Sequence, residues 1–99
     1  MRMLLKATLD NQKASEAIQA GTLGDAMQRV MEQLQPEAAY FYPEDGRRTA
    51  IFVFDMKDPS QLPMITEPFF QNTGADVRVT PAMDANDMRS GLEQLASSG

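Results

Sequence analysis

The sequence predicts an α+β fold in which a four-stranded antiparallel sheet carries helices on one face. Three observations predict it. Ala38-Ala39-Tyr40-Phe41-Tyr42 and Thr49-Ala50-Ile51-Phe52-Val53-Phe54-Asp55 flank Asp45-Gly46, a dipeptide that favours a two-residue hairpin turn. Helical periodicity lies on both sides of that hairpin. Strand patterns at residues 3–9 and 75–80 stand at the outer ends. The order is strand, helix, strand, strand, helix, strand, with one short helix after it.

In the first strand Met3, Leu5, Ala7 and Leu9 share one face, and Leu4, Lys6 and Thr8 the other, because side chains alternate across a strand. Asp10-Asn11 stops it and supplies a helix cap. Ala14, Ala17 and Ile18 then recur at helical spacing until Gly21-Thr22 interrupts them. Thr22 and Asp25 predict a restarted capping box, with Asp in place of Glu or Gln. Leu23, Ala26, Met27, Val30, Met31 and Leu34 form an apolar stripe, which Pro36 ends. Met3, Met27, Met31 and Met56 fall at spacings that predict core filling rather than a soft ligand surface.

A two-residue turn at Asp45-Gly46 sets Tyr42 opposite Thr49, Tyr40 opposite Ile51 and Ala38 opposite Val53. On the other face Phe41 meets Ala50 and Ala39 meets Phe52. Each small residue of that face meets a large one. A three-residue turn would shift the register and mix the faces. Pro43 lacks a donor, which predicts an edge strand. Arg47-Arg48, beside Glu44 and Asp45, reads as a solvated edge that discourages aggregation.

Asp58-Pro59-Ser60-Gln61 predicts a capped helix start with Pro at the first position. Leu62, Ile65, Phe69 and Phe70 give its buried face. Pro68 predicts a kink or a shortened helix, and Asn72-Thr73-Gly74 ends it. The last strand points Val77 and Val79 inward and ends at Pro81, again suited to an edge. Asp84 and Asp87 predict a final capping box. Met88, Leu92 and Leu95 predict a short C-terminal helix, weakened by Gly91.

This order is that of a ferredoxin-like βαββαβ sandwich. Right-handed crossovers place the first and third strands at the centre. One domain over residues 1–96 is expected, with residues 97–99 as a frayed tail. Met3, Leu5, Ala7, Phe41, Ala50, Phe52, Phe54, Val77 and Val79 form the face for the helices. The other face carries Leu4, Lys6, Thr8, Tyr40, Tyr42, Ile51, Val53, Asp55, Arg78 and Thr80. Its centre, Leu4, Tyr40, Ile51 and Val53, is too apolar to stay wet. A second subunit is the simplest cover, so these four are the candidate dimer interface.

The segment Pro36-Glu37-Ala38-Ala39-Tyr40-Phe41, then Arg47 to Ser60, then Glu67-Pro68-Phe69-Phe70, resembles small bacterial proteins of unknown function in the dimeric α+β barrel superfamily. The resemblance spans most of residues 3–83 and carries no catalytic motif. It implies a homodimer with two sheets face to face. Members of that superfamily include cofactor-independent monooxygenases, isomerases, polyketide cyclases, haem-degrading enzymes and effector-binding domains, so the fold selects no function.

Composition narrows the chemistry. The 99 residues include no Cys and no His, which removes thiolate and imidazole ligands and the commonest general base. No cofactor or metal is expected, since Asp84 and Asp87 are explained by helix capping. A net charge of −5 and a pI near 4.5 disfavour nucleic acid. No apolar run approaches a membrane span, and Lys6 comes too early for a signal peptide. A cytoplasmic protein is therefore expected.

Three functions fit. The first is a small homodimeric barrel that binds a small apolar ligand or a protein partner. The second is a cofactor-independent monooxygenase, isomerase or cyclase acting on an aromatic or polyketide-like substrate. The third is a ligand-sensing subunit of a larger assembly. Whether the chain is an enzyme stays open. Lys6, Tyr40, Tyr42, Asp55 and Arg78 are the candidate ligand-binding residues. Lys6 or Arg78 would hold an anion, Tyr40 or Tyr42 would donate a proton, and Asp55 would act as a base if buried. The chemical reading requires Lys6, Tyr40 and Arg78 to converge on a closed cavity.

Overall fold

A computed structural model describes residues 1–98. The elements are β1 (Arg2–Thr8), α1 (Asn11–Gln19), α2 (Leu23–Leu34), β2 (Ala38–Glu44), β3 (Arg47–Asp55), a 3-10 turn (Pro59–Gln61), α3 (Leu62–Thr73), β4 (Asp76–Pro81) and α4 (Ala85–Ser98). The strands form one antiparallel sheet in the order β2-β3-β1-β4. Pro43 and Pro81 thus lie in the two edge strands, where a missing ladder donor is tolerated.

The hairpin pairs in the expected register, with Tyr42 opposite Thr49, Tyr40 opposite Ile51 and Phe41 opposite Ala50. Asp45 and Gly46 have φ of 51° and 76°. Two successive positive φ values are the signature of a type I′ turn, whose twist matches that of the flanking strands.

Met3, Leu5, Ala7, Ala50, Phe52 and Phe54 form the floor of the core. Ala14 of α1, Val30 and Leu34 of α2, and Ile65 and Phe69 of α3 cover it. Phe52 is fully buried, edge-on to Phe41 at 5.8 Å and tilted against Phe69 at 6.0 Å. Burying a side chain of this size contributes about 1.5–3 kcal/mol.

The caps follow the sequence with one exception. Asp10 accepts from the Lys13 amide at 2.9 Å. Asp58 accepts from the Ser60 amide, and Gln61 reaches back to complete a capping box. Asp84 and Asp87 exchange amide bonds at 2.8 and 3.1 Å. The box expected at Thr22 and Asp25 does not form. The Thr22 hydroxyl instead donates to the Ala17 carbonyl at 3.3 Å and helps turn the chain from α1 into α2.

Five further expectations are corrected. Of the kink or shortening expected at Pro68, the shortening does not occur: α3 continues to Thr73 and ends at Gly74 in the left-handed region. Phe70 is not on the buried face. The buried stripe of α3 is Ile65, Phe69 and Thr73, and Phe70 lies off it, exposed. Phe41 points to the helix side of the sheet but is 57% exposed, because the helices stop short of the outer edge at β2. Arg47-Arg48 is not merely a solvated edge. Arg47 donates to the Thr8 and Leu9 carbonyls and pairs with Asp76, while Arg48 donates to Asn11. The doublet ties the start of β3 to the end of β1. Ser97 and Ser98, expected to fray, form the end of α4, and the part of that expectation concerning Gly99 lies outside the described residues.

Candidate functional site

The sheet face away from the helices is built in cross-strand rows. Tyr40, Ile51, Lys6 and Arg78 stand side by side across all four strands. Ala38, Val53, Leu4 and Thr80 form the next row towards one end. Tyr42, Thr49, Thr8 and Asp76 form the row on the other side. Leu4, Ile51 and Val53 are half-buried, and Tyr40 is 67% exposed. Three of the five predicted ligand residues therefore share one row, with Tyr42 one row away.

Adjacency in a row brings Lys6 and Arg78 to one cleft and leaves Tyr40 outside it. The Lys6 ammonium pairs with Glu44, and the Tyr42 hydroxyl donates to the same carboxylate at 3.3 Å. The hydrogen bond from Lys6 holds the Glu44 carboxyl below the usual range despite partial desolvation. Lys6, Thr8, Glu44, Asp45, Arg47, Asp76 and Arg78 line a shallow polar cleft of about 260 Å³. Tyr40 is not among them. The convergence of Lys6, Tyr40 and Arg78 that chemistry would need is not present in the chain on its own.

Asp55 lies at the far end of β3. It is exposed and pairs with Lys57 and with the N-terminal ammonium. Hydrogen bonds from these two cations lower its carboxyl to about 2. Burial, the condition for Asp55 to act as a base, is not met. Beside it Arg2 bonds Glu37 and contacts Asp84 at 3.2 Å and Asp87 at 3.4 Å. These carboxylates, Glu37 first, raise the guanidinium pKa further.

An apolar cleft lies on the opposite side of the sheet. A cavity of about 370 Å³ opens between the α1–α2 turn and the β2–β3 hairpin. Leu9, Ile18, Leu23, Met27, Phe41 and Ala50 supply most of its wall, and Arg48 also lines it. Ile18 and Phe41 are exposed large apolar side chains. Arg48 donates to Asn11, and no carboxylate among the described residues pairs with it. An apolar cleft with one cation on its wall suits an apolar molecule bearing one negative group.

Sequence periodicity assigns Leu23, Met27 and Phe41 to core packing and so misses this cavity. Two signals in the sequence bear on it. Gly21-Thr22 breaks the helical stripe, and Phe41 pairs with the small Ala50 on an edge strand. Among the described residues no group of three or more acidic side chains is placed to hold a metal ion. No helix is long and apolar enough to cross a membrane.

Fold and cleft together define a small α+β protein, a four-stranded antiparallel sheet with helices and one apolar cleft beside its hairpin. The chain belongs to the family described as a domain of unknown function (DUF3303), whose model matches residues 1–96. No curated protein matches it. Among solved structures it is similar to the de novo designed protein Ferredog-Diesel. The two are 9% identical, with a TM-score of 0.50 over 82% of this chain and 85% of that one. At that identity the likeness bears on the fold alone.

Proposed function

We propose that this chain is a ferredoxin-like homodimer that binds a small apolar molecule carrying one anionic group. The apolar cavity between the α1–α2 turn and the β2–β3 hairpin carries this reading. Its volume of about 370 Å³ falls within the roughly 300–1,000 Å³ typical of ligand pockets. Arg48 gives the ligand an orientation, with its apolar body against Leu23, Met27 and Phe41 and its charge towards the guanidinium. The ferredoxin-like part of the reading is supported by the strand order and by the helices that connect β1 to β2 and β3 to β4. The homodimer is supported by the row of Tyr40 and Ile51 beside Leu4 and Val53 on the open face.

The probe 1-anilinonaphthalene-8-sulfonate has apolar rings and one anionic group, and it brightens when bound in an apolar site. It should bind with one site per chain. Met27→Glu, which puts a like charge in the chamber, should weaken binding at least tenfold. Arg48→Gln should weaken it about tenfold, the worth of one charge-assisted hydrogen bond. Circular dichroism must show both variants folded. Unchanged affinity in both folded variants would remove the cavity as the site.

A further inference from the structure

Helix α4 has no home on its own chain. None of its residues is buried, and Met83, Met88, Leu92 and Leu95 are 51–69% exposed. Met88, Leu92 and Leu95 nevertheless fall on one face, at steps of four and three. The radius of gyration is 16.0 Å and the longest extent 56 Å, whereas a compact domain of this length has a radius near 13 Å. A 14-residue helix spans about 21 Å, which accounts for the elongation. Helices this short are marginal in water without packing, and Gly91 weakens this one further. The capping box at Asp84 secures only its first turn.

The place where α4 leaves the body is fixed. Arg2 stands on the open face of the sheet, in alternation with the buried Met3 and Leu5, and it contacts both Asp84 and Asp87. The helix therefore starts at the rim of the open face, the face left without a cover.

We infer that α4 is an exchanged arm: its Met88, Leu92 and Leu95 stripe packs on the open sheet face of a second copy of this chain. Two-fold symmetry lets each copy cover its partner's face with its own arm, so both unpartnered apolar surfaces are satisfied together. A stable interface buries roughly 800 Å² per partner, and each arm contributes its apolar stripe to that area.

The inference rests on the homodimer proposed above, so the test separates the two. The chain has no cysteine, so Ser97→Cys takes a single nitroxide label. Labelled chains are mixed with unlabelled-at-sulfur, ¹⁵N-enriched wild type, and amide signals are read by NMR. Signals of Tyr40, Ile51 and Arg78 in the ¹⁵N chain should broaden, and Leu92→Glu/Leu95→Glu in the labelled chain should abolish that broadening. Light scattering of the wild type reports the dimer itself. A dimer whose open-face signals stay sharp overturns the arm and leaves the dimer standing. A monomeric wild type overturns both.

Discussion

The Gln33 side-chain amide donates to the backbone carbonyl of Met64 at 3.2 Å. Met64 lies four residues before Pro68, whose ring nitrogen cannot supply the usual helical donor. A side chain from α2 thus satisfies the carbonyl that a proline in α3 leaves without its partner. This explains how α3 runs from Leu62 to Thr73 with Pro68 inside it. Gln33→Ala should destabilise the protein by about 0.5–1.5 kcal/mol, the net worth of one hydrogen bond. In a Pro68→Ala background, where an amide is restored, the same change should cost almost nothing. Urea unfolding of the two single variants and the double variant completes the cycle. Additive effects would show that the bond does not compensate for the proline.

That bond was out of reach of sequence reasoning, because Gln33 and Met64 meet only when two helices pack. Local features were legible. Asp45-Gly46 and the small-opposite-large pairing set the hairpin register, and Asp10, Asp58 and Asp84 marked helix starts. Thr22 failed as a cap because its hydroxyl found the Ala17 carbonyl, a competitor that only the folded turn presents. Phe41 shows the limit of alternation. Alternation tells which face a side chain occupies and not how far the helix layer reaches, so a residue assigned to the core became a wall of the cavity. The stripe of α4 was equally plain in the sequence, while the absence of anything beneath it was not.

Gly46 tests the turn. Its φ of 76° lies in the left-handed region, and no atom lies within 4 Å of where a Cβ would be built. Gly46→Ala should therefore cost only the backbone term, about 1 kcal/mol, without a steric clash. Asp45→Asn should be tolerated, since Asn accepts a positive φ at the same turn position. Thermal unfolding of both variants checks the pair. A Gly46→Ala protein as stable as wild type would count against the type I′ turn.

Acid should act through the carboxylates that hydrogen bonds stabilise. The Asp55 carboxyl sits at about 2, against an ordinary 3.8, with Lys57 as the first cause. Its folded-state value is depressed, so its contribution is complete above the ordinary value. It is lost as pH falls from near 3.8 towards 2. Glu44 follows the same sign, starting below 4.5, with Lys6 as the cause. Carboxyl ¹³C titration should place both midpoints below their ordinary values. Lys57→Met should raise the Asp55 midpoint, and Lys6→Met should raise that of Glu44. Both carboxylates are solvated, so molar salt should shrink both shifts. A Glu44 midpoint unmoved by Lys6→Met would show that the pair does not persist in solution.

Ile51 tests the open face most directly. It is half-buried and flanked by Tyr40 on β2 and Lys6 on β1. Within one chain, Ile51→Asp places a carboxylate beside a lysine on a wet surface, which should change stability little. In a face-to-face homodimer the same carboxylate is taken out of water. Removing a charge from water without full compensation costs several kcal/mol, enough to lower dimer affinity by a factor of 10² or more, since 1.4 kcal/mol is tenfold. Light scattering at micromolar concentration should give twice the 11.0 kDa chain mass for wild type and a single-chain mass for Ile51→Asp, with unchanged circular dichroism. Asp at Thr80, in the neighbouring row on the outer strand β4, should weaken assembly less, because a rim charge stays partly solvated. If Ile51→Asp dimerises as tightly as wild type, the seam lies elsewhere, and Leu4, Tyr40, Ile51 and Val53 face water or another partner.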